Sequence, residues 1–547
     1  MSRREAWASA GLIFVVALVV RAWAAAQMPF PTPEDATYYW GAARNLMEGN
    51  GLTSNALWSY VTPARDASGA LSLGFPRPAF EIWLPLPALL AAIPMALMGS
   101  GAYGPALLVP VLVGALVPVL AWRIGADLAE ERCLAPERAR TLALGSGLVA
   151  AAWLPLVLPS AVLDSTSPYA VPALAACLLM VRLAWRPPAR LLDGRVIALG
   201  AAIGIAYLSR NEAAWIGLTW LALASCKYHR RGVRATVGPV AVAGLAALLV
   251  MSPWLVRSWL TFGSPLPGQA ALNAFSLTGY DIFAWADRPT LARYLAAGAG
   301  ELLDQRLTAF GHNLVDVLLV PGFPISLLGL IALPWTGRAR ALRPLLLASL
   351  LTFWATTLLF PVATTWGTFL HAAVPALVLL LVAGLAGLDA GIAAAGRKRG
   401  WTRPVAWLGP LFLGFAALLF VSFGIPSYSA QAGDIEARYA ALGERFAALG
   451  DPLDPALPVI TNHPMWLAEA NRIRALALPD EPVSSVLEIA RTFGARYVVL
   501  DGDAGGWPAR LATDPDARCL APVALPPAAA GVPAGTTDFT VYRVACP

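Results

Sequence analysis

The chain reads as a polytopic all-α membrane protein carrying a small α/β unit at its C-terminus. Three observations predict this. Hydrophobic residues fill 58% of the 547 positions and charged ones only 13%, against about 25% charged in ordinary soluble domains. The mean hydropathy is +0.63, and apolar stretches near the ~20 residues of a membrane span recur as far as residue 424. Beyond Pro426 the pattern changes to short apolar strands alternating with amphipathic helical segments.

The apolar stretches are 10–27, 82–98, 103–122, 141–159, 168–184, 196–209, 212–226, 235–256, 314–335, 342–361, 368–389 and 404–424. The first is a retained span rather than a cleaved leader, because the proline-rich 29–33 is a poor cleavage context and further spans follow. Orientation follows from lysine and arginine, which are enriched in cytoplasmic loops. Basic clusters follow 103–122 (Arg123, Arg132, Arg138, Arg140), 168–184 (Arg186, Arg190, Arg195) and 212–226 (Lys227, Arg230, Arg231, Arg234). Two more follow 314–335 (Arg338, Arg340, Arg343) and 368–389 (Arg397, Lys398, Arg399, Arg403). Arg3 and Arg4 precede the first span.

The clusters fall after every second stretch provided that 82–98 does not cross. With Pro85, Pro87 and Pro94 in it, that stretch is read as an interfacial or re-entrant segment on the outer side, covered by protein. The expectation is about eleven spans, a cytoplasmic N-terminus and an external C-terminus. A crossing at 82–98 would put the first loop and Asp164 on opposite faces. The net charge of +6 resides in these short clusters, so it sets topology and excludes a nucleic-acid surface.

The remaining connections are external: long loops 28–102 and 257–313, short ones at 160–167, 210–211 and 362–367. The chain divides into a transmembrane part, 1–425, and an external α/β domain, 426–547. In the latter, 457–461, 473–478 and 496–500 read as strands, 464–471 and 481–493 as helices, 539–544 as an edge strand and 521–535 as loop. Five cysteines form no CxxC pair. Cys519 and Cys546 lie together in this domain, where an oxidising compartment would allow them to pair.

Ionisable residues near lipid are costly and mark sites by default. After the first span, Thr32 reads as a helix N-cap, Pro33 as the first helical residue, and Glu34 and Asp35 as the first turn. The helix runs to near Gly49 and places Asp35, Tyr39, Ala42 and Leu46 on one face. The acids equally suit a capping box. Asp164 opens the span at 168 in a short polar turn and also reads as an N-cap. Arg210 and Glu212 flank a tight external turn and also read as a local ion pair. Arg257 ends a span, where a guanidinium could bind phosphate through paired donors. His371 begins another span from outside. A carboxylate in a partly dry pocket can serve as general base. No His/Cys cluster has metal-ligand spacing, and no nucleotide-binding glycine loop is present.

The run from Glu34 to Thr53, an acid pair leading an aromatic helix that ends in Asn45-Leu46 and Gly49-Asn50-Gly51, resembles the first external loop of the GT-C superfamily of membrane glycosyltransferases. Leu208-Ser209-Arg210-Asn211-Glu212 resembles its Thr-Arg-Pro-Glu motif, with Asn211 replacing the usual proline. Pro253-Trp254-Leu255-Val256-Arg257 and Phe262-Gly263-Ser264-Pro265 are similar to its Pro-Trp-x-x-Arg and Phe-Gly-x-Pro stretches. The nearest branch is the protein-mannosyltransferase and aminoarabinose-transferase-like type, family 39 in kind.

The resemblance covers most of 10–425. It implies a polyprenyl-phosphate sugar donor entering from the bilayer and inverting transfer to a cell-envelope acceptor (lipid, glycan or protein) on the external face of a bacterial inner membrane. It implies Asp35 as base, with Glu34 the alternative, and Asp164 as the second-loop acid that orients acceptor or metal. Arg210, Arg257 and His371 would hold the donor phosphate. Glu212, Tyr38 and Tyr39 fall in the same motifs and are counted with the site. No cofactor is required, though a carboxylate-held Mg²⁺ or Mn²⁺ is compatible with the chemistry.

The rivals are a multi-span transporter or lipid flippase, which would spread polar residues through both membrane halves and show repeats, and a non-catalytic envelope scaffold. Mid-span polar content is low and no repeat is visible.

Overall fold

A computed structural model describes residues 3–546 except 67, 189, 268, 403–404, 503 and 528–538. Arg403 and most of the 521–535 stretch therefore lie outside the described residues. The fold is mostly helical. Among the described residues, six helices are long and apolar enough to cross a membrane: Arg3–Ala25, Tyr103–Glu131, Thr166–Trp185, Val233–Phe262, Val374–Lys398 and Leu408–Ala448. Pro136–Ala152 and Leu154–Ala161 form a seventh if counted together, bent by 48°. Pro155 sits in the first turn of the second piece, and a proline disfavours helix in the residues before it. The bend delivers the chain to the turn that holds Asp164.

By length and composition the membrane helices are thus fewer than the eleven expected. The difference lies in shorter helices. Gly194–Tyr207, Ile325–Thr336 and Arg343–Leu359 are apolar but under the length of a full span, and Ala213–Tyr228 has 16 residues. The 314–335 stretch is interrupted: π-helical turns cover His312–Leu319, and the helix resumes at Ile325 beyond Pro321 and Pro324.

The 82–98 stretch contributes the 13-residue helix Leu86–Met98. At ~1.5 Å per residue it reaches about 20 Å, short of a ~30 Å hydrocarbon core. It packs on the helix Glu34–Met47, and Leu86 N–H donates to Leu208 O at 2.9 Å. The segment is therefore tied to the same edge as Arg210.

The helix Leu408–Ala448 runs 41 residues without a break at Pro426. Proline removes one intrahelical hydrogen bond but is tolerated where neighbouring packing compensates. The last apolar stretch and the support for the C-terminal sheet are consequently one element.

Among the described residues that sheet has six strands in the order Ala56–Leu57, Ala475–Ala477, Val459–Thr461, Tyr497–Leu500, Thr540–Val544, Leu520–Val523. The first four run parallel, and Thr540–Val544 is antiparallel to both of its neighbours. Val459–Thr461, Ala475–Ala477 and Tyr497–Leu500 are buried throughout, as expected of strands covered on both faces. Helices Pro464–Asn471 and Val483–Phe493 make the crossovers.

Two expectations need correction. Thr540–Val544 is an interior strand, because Leu520–Val523, in a stretch read as loop, forms the edge beyond it. At the other edge stands Ala56–Leu57 from the first long loop, whose Asn55 O accepts from Ala475 N–H at 3.0 Å. Cys519 and Cys546 form a disulfide that staples the outer strand pair.

Candidate active site

The helix Glu34–Met47 begins after Pro31-Thr32-Pro33. Its N-cap is Pro33, in extended geometry and with no side-chain cap, so Thr32 does not cap and no capping box forms. Thr37 Oγ instead donates to Pro31 O at 2.7 Å, and Asp35 Oδ1 accepts from Ala36 N–H at 2.9 Å. The two acids are released to tertiary partners. Asp35 and Tyr39 share the helix face that lines a cavity of about 880 Å³.

Three residues meet on the wall of that cavity. His371 Nε2 lies 3.3 Å from Asp35 Oδ2, and Nδ1 lies 3.0 Å from Asp164 Oδ1. Asp164 stands one residue before Ser165, the N-cap of the helix Thr166–Trp185, which has no side-chain cap of its own. Its Oδ1 accepts from Thr166 N–H at 2.8 Å, Thr166 Oγ at 3.0 Å and Ser165 Oγ at 3.2 Å. The expectation of an Asp164 N-cap is therefore off by one position, while the side chain still braces the start of that helix from the cavity wall. His371 is positioned by Gly367, whose φ of +116° belongs to glycine and whose added Cβ would meet the imidazole at 2.9 Å.

The electrostatics separate the two acids. Burial raises the Asp35 pKa and outweighs the neighbouring His371, so the carboxyl stays above its usual range. Burial would also raise Asp164, but His371 and the Thr166 hydrogen bonds pull it well below the carboxylate range. His371 is held above the usual histidine value: burial lowers it, and Asp164 with Asp35 more than reverse that. Among three groups in contact, Asp35 is the carboxylate readiest to take a proton.

Arg210 spans Glu212 through Nε at 3.0 Å and Nη2 at 3.1 Å, and Nη1 donates to Ser165 Oγ at 3.0 Å. The local ion pair exists and still lines the cavity. Glu212 keeps the guanidinium charged despite burial, and donors remain beyond the three used.

Tyr38 and Arg257 lie elsewhere. The Tyr38 hydroxyl accepts from Phe80 N–H, and burial pushes its pKa to about 12. Arg257 lies over the rings of Trp254 at 4.7 Å and Phe262 at 5.2 Å. Neither lines the cavity among the described residues. Tyr38 leaves Tyr39's face because adjacent helical residues diverge by about 100°.

Glu34 reaches the cavity and is bound from outside the transmembrane part. His463 Nδ1 lies 2.7 Å from its Oε1. Sequence reasoning missed His463. Its signal was position: it follows the first strand of a parallel sheet, and ligand sites in such sheets gather beyond the strands' carboxyl ends. Metal-ligand spacing was also invisible. Asp35, Asp164 and His371 each present one ligand atom, all within 4.8 Å of one another, yet Asp164 and His371 stand 207 residues apart.

No protein-family model matches the chain, and no curated protein matches it in sequence. Solved structures share its fold. Apo ArnT from Cupriavidus metallidurans gives a TM-score of 0.52 at 14% identity over 100% of this chain and 99% of that one. ArnT from the same organism bound to undecaprenyl phosphate gives 0.53 at 15% identity over 98% of both chains. The Archaeoglobus fulgidus oligosaccharyltransferase in complex with Zn and sulfate gives 0.52 at 14% identity, covering 92% of this chain and 70% of that one. The chain shares the fold of these ArnT and oligosaccharyltransferase structures, and several of its helices are long and apolar enough to cross a membrane.

Proposed function

We propose that the protein is an inverting glycosyltransferase. It moves a sugar from a polyprenyl-phosphate carrier to a cell-envelope acceptor on the external face of a bacterial inner membrane. The observation that carries this reading is the Asp35–His371–Asp164 cluster on the wall of a cavity lined by both charged groups and apolar side chains such as Leu158, Val162 and Leu370. The ArnT neighbour bound to undecaprenyl phosphate supports the donor class.

A lipid-phosphate sugar is already activated, so the site must position it, neutralise the departing phosphate and remove one proton. The acceptor hydroxyl oxygen attacks the anomeric carbon from the face opposite the phosphate. The carbon–oxygen bond to phosphate breaks, the polyprenyl phosphate leaves with the electron pair, and the hydroxyl proton passes to Asp35. Arg210 and the His371 imidazolium supply positive charge on the donor side. Asp164 holds His371 between the acids, and Glu212 and Ser165 aim Arg210. Asp35, Asp164 and His371 also form a donor set that fits a divalent cation such as Mg²⁺ or Mn²⁺. A bound ion would add positive charge beside the phosphate.

The topology proposed with this function has eleven spans, the short apolar helices included, with the N-terminus inside and the C-terminal sheet outside. The Cys519–Cys546 disulfide supports an oxidising compartment for that sheet. Native Cys133 and Cys226 are exposed and fall on the cytoplasmic side. In intact cells, a membrane-impermeant thiol reagent labels Ser68→Cys but reaches Cys133 and Cys226 only after permeabilisation. Labelling of Cys133 from outside would refute the orientation.

The function itself is tested by incubating purified protein with a panel of polyprenyl-phosphate sugars and following sugar release or transfer. Turnover of at least one donor, with release of polyprenyl phosphate, is expected. No turnover across the panel would remove the reading.

A further inference from the structure

Glu34 and His463 stand 429 residues apart, and their contact joins the C-terminal sheet to an acid of the cavity. The histidine is held from several sides. Its ring stacks on Trp466 with centroids 4.4 Å apart, and Trp466 Nε1 donates to Thr32 O at 2.9 Å. The preceding Asn462 exchanges two hydrogen bonds with Asp501, side-chain Nδ2 to Asp501 O and Asp501 N–H to Oδ1, each 2.9 Å. The Asp501 carboxylate is in turn bound by Arg438 and by the Tyr439 hydroxyl at 2.8 Å from the helix Leu408–Ala448.

This frame leaves the Glu34 carboxylate with two different oxygens. Oε1 receives the hydrogen bond from His463 Nδ1. Oε2 is buried and has no hydrogen-bond partner among the described residues, on a residue that lines the cavity. An ionised carboxylate is an acceptor only, and a buried acceptor left unsatisfied costs free energy until a donor arrives.

We propose that His463 is a positioning residue that fixes Glu34 so that its second oxygen accepts a hydrogen bond from a substrate hydroxyl. The C-terminal sheet thereby takes part in substrate selection through a residue of the first loop. This inference rests on the glycosyltransferase reading for the identity of the ligand, though not for the contact itself. No proton need change hands. His463 restricts Glu34 to one rotamer, and a carboxylate so restricted orients a hydroxyl with little entropy loss on binding.

The test compares wild type, His463→Ala, His463→Asn, Glu34→Gln and the double variant His463→Ala/Glu34→Gln in the donor-panel assay. His463→Ala lowers kcat by about 10- to 100-fold, the range for losing a residue that orients a site group. The KM for the lipid phosphate stays unchanged, because no phosphate contact is touched. Asparagine, whose Nδ2 replaces the imidazole Nδ1–H donor, restores most of the rate. The double variant is no slower than Glu34→Gln alone. Losses that multiply in the double variant, or a wild-type rate in His463→Ala, would overturn the proposal.

If wild type turns over no donor, the functional reading fails and the contact is still measurable. The same variants then form a double-mutant cycle in thermal unfolding midpoints. Non-additive midpoints support the His463–Glu34 coupling, and additive ones overturn it.

Discussion

The helix Glu34–Met47 has buried charge at both ends, and the two ends behave differently. Near its C-terminus Arg44 pairs with Glu469 of the C-terminal unit, the two side chains 4% and 5% exposed. Asn55 Nδ2 approaches the same carboxylate at 3.4 Å, and Arg44 lies over the Trp40 ring at 4.8 Å. A Cβ at Gly41 would run into the Glu469 carboxylate, so glycine there is what allows the approach. The charges match one to one and the seam is closed. At the N-terminal end, Asp35 shares one imidazole with Asp164, Glu34 Oε2 has no partner among the described residues, and both acids of the pair face a cavity. A sealed, matched pair joins two parts of the chain. An unmatched cluster that opens onto a cavity keeps capacity for a ligand.

Substitutions at each end should separate activity from stability. The largest effect on turnover short of losing the base is His371→Ala, which removes the group between the two acids. Transfer falls by roughly 10²- to 10³-fold, the scale for losing one preorganised charge-stabilising group, while the unfolding midpoint in detergent changes little. An equally large fall in midpoint would make the cluster structural. At the closed end the pattern inverts. Arg44→Ala leaves Glu469 buried without its cation and costs about 3–5 kcal/mol of stability, read as a lowered midpoint or early proteolysis of the C-terminal unit. A wild-type midpoint would show that the seam is hydrated and weak. The smallest effect is assigned to Arg257→Lys. Because Arg257 faces Trp254 and Phe262 rather than the cavity, the donor KM stays at the wild-type value. A raised KM would return Arg257 to the donor path.

The same contrast shows which features were legible in sequence. Local patterns were. The strands near 459, 475 and 497 and the helix Pro464–Asn471 follow from apolar runs and turn residues, and the proline-rich 82–98 stretch yields a helix of only 13 residues. Asp35, Asp164, Arg210 and His371 could each be nominated, because ionisable groups beside apolar runs are conspicuous. Their convergence could not, since it depends on how distant helices pack. Thr32 was a plausible cap, but Pro33 already supplies the extended N-cap backbone, one position later. The strand Ala56–Leu57 is two residues long and exists only because the sheet beside it offers an edge. His463 carried no catalytic motif. Its role comes from a frame built by Trp466, Asn462 and Asp501, none of which announces itself in sequence.

The central claim is that Asp35 is the base of a sugar transfer from a lipid phosphate. The most direct test is single-turnover transfer by wild type and Asp35→Asn, using the polyprenyl-phosphate sugar that the panel selects. The amide keeps the shape and cannot take the proton. The account predicts unchanged donor binding and a transfer rate lower by roughly 10²- to 10⁴-fold, the usual contribution of a general base. A wild-type rate in Asp35→Asn would contradict it.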